Sequence, residues 1–117
     1  MEKVINIDGR DVKFKATAAT IRMYRMQFGR DMLIDFRELE KAMSDATAGG
    51  KDLTSESLTI FENIAYVMAK QADPDIEPTA DEWLDTFNMF SIYLILPQIV
   101  ELWKLSELPT ATSKKKV

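Results

Sequence analysis

The sequence predicts a mainly α-helical single domain, a small bundle of about five helices opened by a short N-terminal β-hairpin. Three observations predict it. "KVINID" and "DVKFK" alternate apolar and polar residues on either side of Asp8-Gly9. From Thr17 onward the apolar spacing lengthens to three and four residues. Glycine and proline breaks then cut the remaining chain into helix-length pieces. The 117 residues suffice for one core, and 46% hydrophobic with 29% charged is an ordinary globular balance.

In chain order, Asp8-Gly9 between alternating runs is a hairpin turn, placing strands at roughly 3–7 and 11–15. Two strands alone are marginal in water, so this hairpin must lean on helices. Ile21, Tyr24 and Phe28 then share one helical face, and Gly29 is placed to close that helix in a left-handed cap. Asp31 is placed to cap a second helix with a stripe of Met32, Phe36, Leu39 and Met43, Leu33 lying beside it. Gly49-Gly50-Lys51-Asp52 is the clearest internal break. Thr54 or Ser55 opens a third helix with Leu58, Phe61, Ile64, Ala65 and Met68 on one side, and Asp73-Pro74 ends it. After the acidic loop "DPDIEP", Thr79 and Glu82 have capping-box spacing, and Trp83, Leu84, Phe87 and Phe90 follow at helical intervals. A further helix ends near Leu105. The domain is therefore expected over residues 1–105, with a disordered polar and basic tail over 106–117.

"FSIYLILPQIVELW", residues 90–103, is the most apolar segment. On a helix, Ile92, Ile95, Leu96, Ile99, Leu102 and Trp103 fall in one sector about 120° wide, a core-facing stripe. Phe90 and Leu94 land on the opposite side with Pro97 and Glu101, and Tyr93 and Val100 lie between. Either neighbouring elements cover both sides, or the second side is a docking surface for another protein. Pro97 predicts a kink, or two helices meeting with the proline in the first turn of the second. The candidate protein-binding residues are Phe90, Tyr93 and Leu94, with the large aromatics of the same region, Trp83, Phe87 and Trp103.

Composition narrows the function classes. There is no cysteine and no histidine, which removes disulfides, thiolate and imidazole metal sites and histidine-dependent catalysis. Only Asp and Glu remain for acid–base work, so an enzyme is not expected, and no cofactor or metal is implied. Asp73, Asp75 and Glu77 alternate in a loop but lack the glycine and bidentate glutamate of a calcium-binding loop. Asp81, Glu82 and Asp85 suit a helix N-terminus. The start of the chain shows no apolar signal region, and no segment is long enough to span a membrane, so a cytoplasmic protein is expected. Net charge is −4, but residues 1–30 hold seven Lys/Arg against three Asp/Glu, whereas residues 31–113 hold five against sixteen. Such a chain has either a solvated acidic surface or two electrically distinct faces for different proteins or other copies of itself. Arg22, Arg25 and Arg30 cluster in the first helix, where pairing with acidic neighbours explains them better than nucleic-acid binding.

Three stretches carry a resemblance: "IDGRDVKFKATAATIRMYRMQFGRD", "ENIAYVMAKQADPDI" and "DEWLDTFNMFSIYLILPQIVELW". In this order and spacing the chain resembles the tail assembly chaperones of long-tailed bacteriophages and prophages of Gram-positive bacteria, over roughly residues 5–105. That resemblance implies a non-enzymatic protein of the bacterial host cytoplasm. It would coat the tape measure protein, keep it soluble, assist recruitment of tail tube subunits, and be absent from the finished virion. The family has no catalytic motif to carry over. It also implies a longer product made by ribosomal frameshifting, and "SKKKV" at residues 113–117 fits either slippery codons or a plain solubilising tail. The other reading is a small phage or host interaction adaptor without catalytic activity.

Overall fold

Residues 1–49 and 53–104 are described by a computed structural model of the chain. Strands β1 (Glu2–Ile7) and β2 (Arg10–Lys15) pair antiparallel, with Ile7 opposite Arg10 and only Asp8 and Gly9 between them. Both turn residues have positive φ, 57° and 77°, as a tight two-residue hairpin turn requires. Asn6 Oδ1 accepts from the Gly9 N–H at 3.1 Å and steadies the turn. Strand alternation sends Ile5, Ile7, Val12 and Phe14 into the core and leaves Val4, Asp11 and Lys13 outside.

Helix α1 (Ala18–Phe28) starts at a capping box, with the Thr17 N–H donating to Thr20 Oγ1 at 2.8 Å and the Ala19 N–H to Thr17 Oγ1 at 3.2 Å. Gly29 closes it at φ 67°, its N–H donating to the Arg25 carbonyl at 2.8 Å. Helix α2 (Met32–Gly49) is capped by Asp31 Oδ1, which accepts from the Leu33 N–H at 2.9 Å. Of its predicted stripe, Met32, Phe36 and Leu39 are buried and Met43 is half-buried, while Leu33 is turned outward.

Helix α3 (Ser55–Ala72) is capped by Thr54, whose hydroxyl accepts from the Ser57 N–H at 3.1 Å. It is the hub of the fold, packed against β2, α1, α2 and the following short helix. The single stripe predicted for it is therefore too narrow. Ile64, Ala65, Tyr66, Val67, Met68 and Ala69 are buried in succession, because neighbours close around this part of the helix on every side, while Ser55, Glu56 and Thr59 stay exposed.

Helix α4 (Ala80–Leu84) begins at Thr79, whose hydroxyl accepts from the Glu82 N–H at 3.1 Å. It ends after five residues instead of running on through Phe87 and Phe90. The Thr86 hydroxyl turns back to the Trp83 carbonyl at 2.7 Å, and the chain then breaks away to meet the hairpin. A 3-10 turn, Ser91–Ile95, leads into helix α5 over residues 96–104. Pro97 sits in the first turn of α5, where its missing N–H costs nothing, so the proline marks a junction of two helical pieces. The described residues thus form a mainly helical domain of five helices and an N-terminal two-stranded hairpin. Gly50 to Asp52 of the expected break and the expected tail, 106–117, lie outside the described residues.

Candidate protein-binding surface

The six candidate residues divide between core and surface. Trp83 is 1% exposed and Trp103 6%. Trp83 meets Phe14 of the hairpin edge to face, with centroids 6.3 Å apart, Tyr66 of α3 at 5.7 Å, and Phe87 at 5.0 Å. Such pairs contribute roughly 0.5–1.5 kcal/mol each beyond the area they bury. Trp103 packs on Phe36 of α2 at 4.8 Å. These two tryptophans join elements of the domain and present almost nothing to a partner, so the surface as it stands does not include them. Phe87 is half-buried and lies under the Arg10 guanidinium, 4.4 Å from its ring centroid.

Phe90 and Leu94 lie on the other side of the divide, 71% and 77% exposed, with Met89 beside them at 78%. The whole predicted inner sector, Ile92, Ile95, Leu96, Ile99, Leu102 and Trp103, is buried. The outer set, Phe90, Leu94, Pro97 and Glu101, is exposed throughout. Among the described residues, one line of the segment therefore stays uncovered by hairpin and helices. Single exposed apolar residues are ordinary, but several large ones in one short stretch mark an interaction surface.

Tyr93 stands at the border, half-buried. Its ring packs near Phe61, and its hydroxyl donates to Glu62 Oε2 at 2.6 Å. That carboxylate, with some help from burial, pushes the Tyr93 phenol up to about 12.

The hairpin tip holds the start of this line. Asp8 accepts from the Asn88 backbone N–H at 2.9 Å and from the Ser91 hydroxyl. Those two bonds, the backbone one first, hold the Asp8 carboxyl below the usual carboxylate range. Arg10 Nη2 donates to Thr86 Oγ1 at 2.9 Å. Residues of the hairpin tip, some 80 positions away in the chain, thus fix the backbone on which Met89, Phe90 and Leu94 stand. No spacing rule signals a contact between residues so far apart in the chain.

Away from this line, the arginine cluster resolves partly. Arg30 donates through Nε to Asp35 Oδ2 at 2.7 Å and through Nη2 to Oδ1 at 2.8 Å. The Tyr24 hydroxyl adds a third bond to buried Asp35 at 2.7 Å. The Arg30 guanidinium holds the Asp35 carboxyl low, and burial pushes the Tyr24 phenol up. This is a structural bond set beneath α1 and α2. Arg22 and Arg25 are exposed. A groove between β2 and the acidic loop, lined by Arg10, Asp11, Lys13, Asp73, Glu77 and Trp83, mixes both charge signs. Among the described residues, no group of three or more acidic side chains is placed to hold a metal ion, and no helix is long and apolar enough to cross a membrane.

No family model, no curated protein and no solved structure matches this chain.

Proposed function

We propose that this chain is a phage tail assembly chaperone that binds the tape measure protein, keeps it soluble during tail building, and assists recruitment of tail tube subunits. The observation that carries the reading is the line of Met89, Phe90 and Leu94, three large apolar side chains each more than 70% exposed on one short stretch. A tape measure is a long, largely helical chain whose apolar stripes would aggregate if left bare. A small acidic domain with an apolar line on the turn and 3-10 segment that lead into α5 covers such a stripe by seating the partner helix against it, and its net charge keeps the coated filaments apart. No catalytic step belongs to this reading. The chain works in the host cytoplasm and leaves before the virion is complete.

Co-expression with the tape measure protein tests the proposal directly. The tape measure protein stays soluble with this chain and precipitates without it; equal insolubility in both cases ends the reading. Mass spectrometry of purified particles separates a chaperone, which is missing from them, from an adaptor retained in the virion.

A further inference from the structure

We propose that the segment seated on the Met89, Phe90 and Leu94 line is an amphipathic helix whose apolar stripe is bordered by Lys and Arg. The inference rests on the chaperone reading of this surface and adds the chemistry of the occupant.

Charge complementarity carries it. Residues 53–103 supply α3, α4, the 3-10 turn, most of α5 and the apolar line itself. They contain nine Asp/Glu and a single basic residue, Lys70. Lys70 is turned inward to its own loop, donating to the carbonyls of Pro74 at 2.7 Å and Ile76 at 3.0 Å. Close to the line the same sign prevails. Asp8 bonds to Asn88 and Ser91, which flank Met89 and Phe90. Glu62 holds Tyr93 at its border, and Glu101 continues the exposed line beyond Pro97. Two cations also lie nearby among the described residues, fewer than the three carboxylates of Asp8, Glu62 and Glu101. Arg10 is bound to Thr86 and lies over Phe87, and Lys104 faces Glu40 at 3.3 Å.

An approaching helix therefore meets an apolar strip edged by carboxylates. Its own acidic residues would face like charge across a short gap, whereas lysines and arginines there gain Coulomb energy and are steered inward from a distance. Apolar contact supplies affinity, and charge supplies choice of segment and register. In a tape measure chain with many apolar stripes, this selects the basic ones.

The test uses the full chain and fluorescent peptides tiling the tape measure protein, titrated by anisotropy at low and high salt. The tiles that bind carry net positive charge beside a helical apolar stripe. Their affinity falls about tenfold from low to high salt. Leu94→Asp weakens them at least about tenfold and Glu101→Lys about threefold, with unchanged thermal melting in both variants. Binding tiles that are acidic, or indifferent to salt and to Glu101→Lys, overturn the inference and leave the chaperone reading standing. If no tile binds the wild-type chain, the chaperone reading fails and takes the inference with it. Sedimentation that finds the line occupied by a second copy, in a dimer that Leu94→Asp dissolves and no tile displaces, also overturns it.

Discussion

Trp103 and Leu94 belong to the same apolar segment and meet opposite fates. Trp103, with Ile95 and Ile99, faces the bundle and is buried; Leu94, with Phe90, faces water. Nothing in residue type separates the two sides. Position does, because α2, α3 and the hairpin cover one side of the segment and end short of the other. A mutation on the inner side therefore tests stability, and one on the outer side tests binding.

The buried core, to which the inner side belongs, should break first and most severely. Trp83→Ala removes the ring that joins hairpin, α3 and the turn after α4, and a loss of about 3–5 kcal/mol is expected, enough to unfold a marginal domain. Urea titration followed by circular dichroism measures it. Asp35→Ala comes next, at about 1–3 kcal/mol, since it strands the buried Tyr24 hydroxyl, while half-exposed Arg30 is left to water. Its pH dependence has a defined sign. The folded Asp35 pKa lies below its unfolded value, so the stabilisation is present above about pH 4 and fades as pH falls through the folded value. The stability gap between wild type and variant, measured by urea midpoints, should shrink as the solution is acidified below that point.

These predictions also bear on how much was legible beforehand. The hairpin, its Asp8-Gly9 turn, the Gly29 cap, the Asp31, Thr54 and Thr79 starts and the two-sided character of residues 90–103 all follow from local spacing, and local chemistry decides them. The premature end of α4 and the all-round burial of residues 64–69 in α3 do not, because both depend on which elements arrive from elsewhere. The Trp83 and Trp103 candidates show the same limit. Large aromatics are favoured in cores and at interfaces alike, and only the location of Phe14, Tyr66 and Phe36 reveals which role applies. The bonds from Asp8 to Asn88 and Ser91, which hold the candidate surface, had no sequence signal.

Tyr93→Phe probes the border between the two sides. Loss of its bond to Glu62 should cost about 1 kcal/mol at neutral pH. The Tyr93 phenol is raised to about 12, so its stabilisation is complete below about pH 10 and is lost as pH rises through the folded value. The variant should lack that share of the alkaline fall in melting temperature. Smallest of all on stability is Leu94→Asp, within about 0.5 kcal/mol, since the side chain already stands in water.

That last variant gives the most direct test of the central claim, that the outer line serves a partner and the inner stripe serves the fold. Wild type and Leu94→Asp are each co-expressed with the tape measure protein, and the soluble fraction of the latter is measured beside the melting temperature of each purified chain. The account predicts equal melting temperatures, soluble tape measure protein with wild type, and precipitate with Leu94→Asp. A Leu94→Asp chain that unfolds, or one that keeps the tape measure protein as soluble as wild type does, contradicts it.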